Sequence, residues 1–409
     1  MGPLEGLKVI DLTHVMAGPT CTLMLADMGA DVIKIEKVPG GDDTRRTVPP
    51  AIEGESAAFM MMNRNKRGVA LDLKTEGGRR VLARLLEDAD VVVENYRPGT
   101  MEKLGFDYGR LRARNPGLIY CALSGFGRSG PYGHRGGFDL VAQAMSGIMS
   151  ITGEGPGRPP VKCGAPLTDI TCGILAAMGI LAAYTHRLKT GQGQMVDTSL
   201  LEAGIVQTYW QSAIALATGI APGPMGSAHP LNAPYQAFQT ADGWIVIGAN
   251  NQRLWMRTLE VLGAVQLAND QRFRESRDRL AHVKELEAAL APFFRTRSSA
   301  EWLARLEEVG VPAGPVYDVL QMQADEQVLA REMVVEVEHQ KLGPVRTLGL
   351  PVKFSDTPGQ VRTGAPLYGQ HTREVLEEHG FPEAEIEALI ADGAVIAADD
   401  VSGARPGNN

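Results

Sequence analysis

The sequence predicts an α/β protein with a mostly parallel, doubly wound sheet and a second, smaller α+β domain. The first two hundred of the 409 residues alternate short β-rich runs with helical runs. The rhythm changes near Ala221–Pro224, after which a hairpin pattern and charged amphipathic helices follow. Apolar residues make up 44% and charged residues 22%, as in ordinary soluble globular proteins, so this length allows two or three domains.

The predicted elements begin with a βαβ unit. Strand Leu7–Leu12 is followed by a loop, Thr13–Gly18, and by a helix that begins at Pro19 and is closed by Gly29. Proline favours the first position of a helix and glycine the position just after the last. Strand Asp31–Glu36 completes the unit. The same alternation then predicts strands Val69–Leu73, Val91–Glu94, Leu118–Leu123 and Gln194–Thr198, and helices Gly77–Ala89, Phe138–Ser150 and Thr168–Lys189.

The change of rhythm sets the domain boundaries. We place a large α/β domain at 1–200, a linker at 201–224, a small α+β domain at 225–330 and a return linker at 331–349. The small domain contains a hairpin around Ala241–Gly243 and three helices, Gln252–Leu262, His282–Phe294 and Ser299–Val309. A β-pair, Met333–Glu338 with Val345–Leu348, and two short helices follow, and the tail Ser402–Asn409 is expected to be loosely held.

Charge and composition argue against several classes of partner. There are 40 Lys and Arg against 48 Asp and Glu, a net charge of −8, which disfavours nucleic acid and anionic membranes. The longest apolar run, Gly173–Tyr184, is shorter than the roughly 20 residues of a transmembrane helix, and no signal peptide is recognised. The four cysteines form no C-x-x-C pair and the histidines are scattered, so we expect a cytoplasmic protein without a metal site.

One glycine motif suggests a nucleotide site but lacks the required context. Gly125–Gly130 fits G-x-G-x-x-G and follows a predicted strand. In dinucleotide-binding folds a helix begins directly at this motif and directs its amides to the pyrophosphate. Here Pro131 and three further glycines follow, which predicts a loop, and nicotinamide binding is therefore disfavoured.

Asp169, at the start of the long helix predicted from Thr168, is the strongest candidate for chemistry. Asp and Thr both favour the N-cap position, so a purely structural capping role is one interpretation. In the other, the helix dipole keeps the Asp169 carboxylate ionised, and that carboxylate attacks an activated carbonyl to form an acyl anhydride. Periodicity does not choose between the two.

Several ordered segments make the chain resemble the class III CoA-transferases, a family that also contains the α-methylacyl-CoA racemases. The resemblance covers nearly the whole chain, from Pro3 to about His371, and rests on Asp11–Pro19 (DLTHVMAGP), Gly29–Glu36 (GADVIKIE), Gly41–Arg45 (GDDTR), Asn63–Arg67 (NRNKR), Val93–Gly99 (VENYRPG), Gly164–Asp169 (GAPLTD) and Pro234–Phe238 (PYQAF). It implies a Rossmann-like large domain completed by about 350–409, and an interlocked homodimer of two threaded rings. It also implies that coenzyme A and acyl-CoA are substrates and that no cofactor is permanently bound.

The resemblance assigns roles to particular residues. Asp169 is implied to be the nucleophile, which passes between an acyl anhydride and an aspartyl-CoA thioester. Contacts with CoA are implied for His14, Val15, Met16, Ala17, Leu71, Asp72, Lys74, Asn95, Tyr96, Arg97 and Arg135. The segment Gly248, Ala249, Asn250, Asn251 and Gln252 corresponds to a loop that closes over the intermediate and excludes water.

Three further residues are implied more weakly. Arg45, like Arg135, is a candidate partner for phosphates or for an acyl carboxylate, because a guanidinium binds such groups bidentately. His229 and Tyr235 are candidates to face the site from the small domain. For each of them an ordinary surface or packing role is the alternative.

Two departures from the family's patterns help to decide which of the family's activities this chain has. The racemases carry a histidine in a G-H-D segment where this chain has Gly137-Phe138-Asp139, and phenylalanine cannot carry a proton, so CoA transfer is favoured over racemisation. Met16 stands where formyl-CoA transferases have glutamine, which argues against formyl and oxalate substrates.

Within the family, the sequence most resembles the succinate–hydroxymethylglutarate CoA-transferases. This implies succinyl-CoA as donor and a short dicarboxylate as acceptor. The alternatives are a racemase-type isomerase, a formyl-CoA:oxalate CoA-transferase and a non-catalytic CoA-binding protein.

Overall fold

The structure, a computed structural model, describes residues 2–398 and divides them into two compact units. The first unit comprises residues 2–146, 164–207 and 326–398, and the second comprises 147–163 and 208–325. The carboxyl-terminal segment thus belongs with the amino-terminal sheet. The predicted loose tail, Ser402–Asn409, lies outside the described residues.

The strands and helices alternate through the first unit and separate in the second. The strands are β1 Lys8–Asp11, β2 Asp31–Lys37, β3 Ala51–Ile52, β4 Glu55–Ser56, β5 Lys66–Leu71, β6 Val91–Glu94, β7 Ile119–Ser124, β8 Met195–Ser199, β9 Tyr235–Gln239, β10 Trp244–Gly248, β11 Ala313–Pro315, β12 Val334–His339, β13 Gly343–Leu348 and β14 Val395–Ile396. The α-helices are α1 Ala17–Asp27, α2 Ala57–Asn63, α3 Glu76–Glu87, α4 Thr100–Leu104, α5 Tyr108–Arg114, α6 Asp139–Met145, α7 Ile148–Ile151, α8 Leu167–Thr190, α9 Leu200–Val206, α10 Tyr209–Thr218, α11 Gln252–Leu262, α12 Ser276–Ala281, α13 Val283–Phe294, α14 Ser299–Glu308, α15 Val319–Ala324, α16 Glu326–Ala330, α17 Thr372–Glu378 and α18 Glu383–Ala391.

A seven-stranded sheet in the order β14-β5-β2-β1-β6-β7-β8 forms the centre of the first unit. All its neighbouring strands are parallel except β14, which pairs antiparallel with β5. From β1 the chain adds strands first towards β5 and then, on the other side, from β6 to β8. In doubly wound sheets, ligands bind outside the carboxyl ends of the strands where the order reverses. Here that point lies between the loops that follow β1 and β6.

Helix α8 packs against α1 through a glycine. A β-carbon at Gly173 would stand 2.5 Å from the carbonyl oxygen of Ala17 and 2.8 Å from Cβ of Thr20. The absence of a side chain therefore allows the two backbones to approach closely. Since Asp169 is four residues before Gly173, it lies on the same face of α8, one turn nearer the amino end of that helix.

Substitution of Gly173 by alanine should separate these two helices. We expect Gly173→Ala to lower the free energy of unfolding by about 1–3 kcal/mol, because the nearest obstacle is a backbone oxygen that cannot rotate away. Urea denaturation measures the change. Leu188→Ala on the same helix, where the side chain is 70% exposed, is the control and should change stability by less than about 0.5 kcal/mol. Equal effects of the two changes would contradict the close approach.

Helix α8 is also long and apolar enough, at 24 residues, to cross a membrane by length and composition. It is the only such helix within residues 2–398. Core helices of globular domains meet the same criterion, and α8 buries Cys172, Ala176 and Ile180 against the sheet.

The second unit has its own core. An antiparallel sheet, β11-β10-β9, packs with α11, α13 and α14 around buried aromatic side chains, among them Trp255, Phe273, Phe294 and Trp302. The hairpin predicted here is confirmed, with strands at Tyr235–Gln239 and Trp244–Gly248.

Three sequence-based expectations need correction. The linker predicted at 201–224 contains helices α9 and α10. The helix predicted over Phe138–Ser150 is two helices, separated at Gly147, which has φ of +91°. The first helix begins at Ala17 rather than Pro19, since a proline without an amide proton is tolerated throughout the first turn.

Candidate active site

The loops after β1 and β6 are joined directly across the reversal point of the sheet. The side-chain amide of Asn95 accepts from the backbone N–H of His14 at 2.9 Å and donates to the carbonyl of the same residue at 2.9 Å. The His14 and Tyr96 rings lie with their centroids 5.3 Å apart. Asn95 therefore uses both ends of its amide to fix the loop. The sequence placed Asn95 beside CoA, but it did not indicate this positioning contact.

A buried ion pair between Asp11 and Lys66 lies where β1 ends and the loop begins. Asp11, fully buried at the end of β1, accepts from Lys66 Nζ at 3.1 Å, from the Thr13 backbone N–H at 2.9 Å and from the Thr22 hydroxyl at 2.6 Å. Burial by itself raises the pKa of Asp11, but the Lys66 and Lys34 ammonium groups and the two threonine hydroxyls outweigh it and hold the pKa well below its usual range.

Asp169 lies in the first turn of α8 and does not cap it. Pro166 occupies the N-cap position, and the backbone N–H of Thr168 donates to Oδ1 of Asp139, on α6, at 2.9 Å. The Thr168 hydroxyl donates to the same oxygen at 2.7 Å. The capping interpretation of Asp169 is therefore wrong, because the Asp139 carboxylate, from another helix, accepts the hydrogen bond from the first turn of α8. No hydrogen bond to the Asp169 carboxylate is formed by any residue between 2 and 398, so its oxygens remain available for chemistry.

The pKa of Asp169 shifts in the direction opposite to the one expected from the helix dipole. Burial, and then the negative charge of Asp139, raise it to about 6. At pH 7 the carboxylate is still mostly ionised, since the pH is about one unit above the pKa. The result is a desolvated, ionised carboxylate, which is a stronger nucleophile than one that water surrounds.

Asp139 gives a direct test of this pKa. Below the pKa Asp169 is protonated and cannot attack, so activity should fall as the pH falls through about 6. We expect Asp139→Asn to move this acidic limb to lower pH, because it removes a neighbouring negative charge while retaining an oxygen that can accept from Thr168. The pH dependence of kcat/KM measures the shift. An acidic limb that stays in place, in a variant with the wild-type melting temperature, would contradict the argument.

The residues expected to bind CoA occupy different environments. Leu71 is fully buried at the end of β5. Asp72 is partly buried and is used locally, since its carboxylate accepts from the Lys74 backbone N–H at 2.9 Å. The side chain of Lys74 is exposed and forms no ion pair with any residue between 2 and 398. Val15, at 47% exposure, lies at the surface of its loop.

Two arginines beside the reversal point are free of anionic partners within residues 2–398. Arg97 and Arg135 are both exposed, and Arg135 stacks on Tyr132 with 4.0 Å between its guanidinium carbon and the ring centroid. The Arg97 guanidinium also lies beside Gly136, 3.9 Å from the position of a β-carbon there. Unpaired guanidinium groups of this kind suit phosphate oxygens.

Arg45 is placed differently from the expectation. Its Nε and Nη2 atoms donate to the two carboxylate oxygens of the buried Glu36, each at 2.6 Å, and its guanidinium lies 3.6 Å from the centroid of the Phe59 ring. Nη2 also donates to the Pro366 carbonyl at 3.0 Å. The bidentate partner of Arg45 is therefore a carboxylate of the protein itself, which ties the 36–46 segment to the rest of the unit.

The remaining candidates lie in the second unit. Asn251 caps α11, accepting from the Leu254 N–H at 3.0 Å, and Gln252 accepts from the buried Arg279 at 2.9 Å. Gly248 is the last residue of β10, Ala249 is buried, and Asn250 is exposed. The loop is therefore anchored at its carboxyl end.

His229 and Tyr235 are in contact with each other. Their ring centroids are 5.1 Å apart, and the Trp210 ring also contacts His229, with centroids 5.9 Å apart. Nδ1 of His229 accepts from the Leu231 N–H at 3.0 Å. Burial lowers the pKa of His229, which favours the neutral form of its ring.

The G-x-G-x-x-G segment is a loop, as its following residues indicated. Turns and bends occupy 125–138, and the next helix, α6, begins at Asp139. The sequence did not indicate the roles of Lys34, Asp42, Lys66 and Asp139, because each depends on a contact between distant segments.

A desolvated carboxylate beside the reversal point of a doubly wound sheet, with unpaired cations nearby, defines an α/β enzyme suited to acyl or proton transfer on an anionic substrate. The chain matches CoA-transferase family III over residues 4–372 and belongs to that family of enzymes.

Three similar proteins illustrate this membership. The chain is 39% identical to the succinate–glutarate CoA-transferase of Agrobacterium fabrum, with 92% of this chain and 95% of that protein aligned. It is 41% identical to the acetyl-CoA:oxalate CoA-transferase of Acetobacter aceti, over 94% of this chain and 97% of that protein. The crystal structure of a CAIB/BAIF family protein from Brucella suis superposes with a TM-score of 0.83 at 39% identity, covering 92% of this chain and 99% of that one.

Proposed function

We propose that this enzyme transfers CoA from succinyl-CoA to a short dicarboxylate through covalent intermediates on Asp169. The observation that carries the proposal is the Asp169 carboxylate itself, which is partly buried, mostly ionised at pH 7 and hydrogen-bonded to no residue between 2 and 398. The similarity to succinate–glutarate CoA-transferase supports the choice of substrates.

The proposed reaction balances without any further reagent. An Asp169 oxygen attacks the thioester carbonyl of succinyl-CoA, the C–S bond breaks, and CoA leaves as the thiolate. The thiolate then attacks the Asp169 carbonyl of the resulting anhydride, which releases succinate and leaves an aspartyl-CoA thioester. The acceptor carboxylate repeats these two steps in reverse, so that acceptor-CoA leaves and the Asp169 carboxylate is restored.

Several groups outside the nucleophile support the assignment of CoA to the first unit. We assign the CoA phosphates to the exposed cations Lys74, Arg97 and Arg135, and the loop His14–Ala17 to the end of CoA that carries the thioester. The segment Gly248–Gln252 of the second unit is assigned to closure over the anhydride, since water in the site would hydrolyse it.

We further propose that the enzyme is an interlocked homodimer of the cytoplasm. Two apolar helix surfaces support the dimer. None of the ten residues of α10 is buried, although the helix contains Tyr209, Trp210 and Leu216, and the last of these is 89% exposed. On α8, Met178 is 60% exposed. Apolar surface of this extent suits contact with a second chain. Sedimentation equilibrium should give twice the mass of the chain.

The decisive experiment is to trap the aspartyl intermediate. After incubation with succinyl-CoA and a hydroxylamine quench, peptide mass spectrometry should find a hydroxamate at Asp169 that is absent without acyl-CoA. The same protein is then assayed with glutarate, mesaconate, oxalate and acetate in competition. Preference for the longer dicarboxylates supports the proposed acceptor, and equal transfer to acetate and glutarate would overturn it. An unmodified Asp169 with several acyl-CoAs would overturn the covalent route.

Oxalate is the second candidate acceptor, and a relative favours it. The Acetobacter aceti protein is named for acetyl-CoA and oxalate. Against oxalate, the Met16 side chain has no amide that could donate a hydrogen bond to this small dianion.

Racemisation is disfavoured by Phe138, which is 77% exposed at the start of α6 and has no titratable group. Exchange of an α-proton with deuterated buffer should therefore be undetectable.

A further inference from the structure

Val15 has a backbone conformation that needs an explanation. Its φ is +67°, in the left-handed region that β-branched residues rarely adopt. The side chain is 47% exposed, so core packing does not impose this conformation. The backbone N–H of Val15 donates to Oδ1 of Asp42 at 3.2 Å. Strained residues persist only where surrounding contacts hold them, and Asp42 provides such a contact.

Asp42 is itself rigidly held. It is fully buried, with Oδ2 2.9 Å from Nζ of the equally buried Lys34. Its Oδ1 also accepts from the Thr44 N–H at 2.9 Å, and its own N–H donates to Glu36 Oε2 at 2.9 Å. Burial alone raises the pKa of Asp42, but Lys34 outweighs it, so the carboxylate stays charged. A fixed, charged acceptor thus faces the Val15 amide.

The same ion pair holds the loop at a second point. Lys34 Nζ donates to the carbonyl oxygen of Thr13 at 2.9 Å. The pair therefore binds the residue before His14 through Lys34 and the residue after it through Asp42. Both contacts are made between residues of the protein itself.

We propose that Asp42, through its ion pair with Lys34, is a positioning residue that keeps the His14–Ala17 loop in its CoA-binding shape before CoA arrives. The inference rests on the proposed function, which assigns CoA to this loop. A loop that is ordered in advance loses less conformational freedom on binding, so the ligand binds more tightly. Loss of the Asp42 contact should let Val15 relax to negative φ and displace the loop.

Hydrogen exchange on the full-length wild-type protein tests the preformed loop without any substitution. Peptides covering residues 12–17 should exchange slowly in the ligand-free protein, since the amides of residues 12 to 15 all donate hydrogen bonds to acceptors of the protein itself. Exchange as fast as that of an exposed loop, with protection only after CoA is added, would overturn the proposal.

A pair of substitutions tests the role of Asp42. By isothermal titration calorimetry, we expect Asp42→Ala to raise the Kd for CoA by about tenfold or more. Glycine adopts positive φ without strain, so Val15→Gly in the Asp42→Ala background should recover most of that loss. The Kd of Val15→Gly alone is the baseline for the double variant, because Val15 itself belongs to the loop assigned to CoA. A merely structural defect would not be rescued by a glycine in the loop.

Controls keep the two proposals apart. Asp43→Ala removes the neighbouring carboxylate, 51% exposed and paired with Lys37, and should leave the Kd unchanged. If Asp42→Ala does not fold, the Kd for CoA is measured for Asp42→Asn instead, with and without Val15→Gly. A wild-type Kd in the Asp42 variant, or no rescue by Val15→Gly, overturns the positioning role. A wild-type protein that does not bind CoA overturns the proposed function instead, and the loop is then judged by hydrogen exchange.

Discussion

Replacement of Asp169 by asparagine should reduce CoA transfer by at least about a thousandfold, because the amide cannot form the anhydride. The measurement is the initial rate with succinyl-CoA and glutarate, together with the hydroxamate assay, which should be negative. Asp88→Asn, a change of the same type at a half-exposed carboxylate at the end of α3, is the control and should retain wild-type activity. Transfer by Asp169→Asn at more than a tenth of the wild-type rate would contradict the covalent route.

The same variant should be more stable than wild type at neutral pH. The pKa of the Asp169 carboxyl is raised from 3.8 to about 6 in the folded protein, so the folded state binds this proton more tightly than the unfolded state does. The wild-type protein therefore loses stability as the pH rises through that interval. The rise in pKa from 3.8 to about 6 corresponds to about 3 kcal/mol, and asparagine does not carry this cost. Urea denaturation of both proteins at pH 7 and at pH 4 should show the difference at pH 7 and little of it at pH 4. A stable but inactive variant also excludes unfolding as the cause of inactivity.

Replacement of Asp11 by asparagine should be the most destabilising single change proposed for this protein, at about 3–5 kcal/mol at pH 7. The substitution leaves the ammonium of Lys66 buried without its counter-charge, which costs far more than the loss of an exposed ion pair. Chemical denaturation measures the change. Asp31→Asn, which weakens a pair with Arg67 whose carboxylate side is 42% exposed, is the control and should cost about 1 kcal/mol or less.

The loss of stability caused by Asp11→Asn should depend on pH. Its folded pKa is held below the ordinary value of 3.8, so its stabilising contribution is present above that value and is lost as the pH falls towards the folded pKa. The gap between wild type and Asp11→Asn should therefore be constant from pH 7 to about 5 and narrow below about pH 4. A constant gap down to pH 2 would contradict the ionised pair.

The order of elements was predictable because each carries a local pattern. The runs Leu7–Leu12 and Val91–Glu94 are apolar over a strand's length, and parallel strands buried on both faces have this composition. The long helix over Thr168–Lys189 is found at Leu167–Thr190. Helix α10 was missed because Tyr209–Thr218 contains no charged residue, so no charged face distinguished an amphipathic pattern there.

The sequence by itself determined the α/β class, the hairpin of the second unit and the family, because these follow from periodicity and from residues close together along the chain. The site depended on tertiary structure. Asp139 reaches Thr168 across 29 positions, Asn95 reaches His14 across 81, and Lys66 reaches Asp11 across 55. Only the folded chain brings such residues into contact, and the charged neighbours that it brings decide which carboxyl has a raised pKa and which has a lowered one. Asp11 and Asp169 are the same residue type in sequence, and burial acts to raise the pKa of both. Two ammonium groups outweigh burial at Asp11, whereas a second carboxylate adds to it at Asp169, so the two pKa values move in opposite directions.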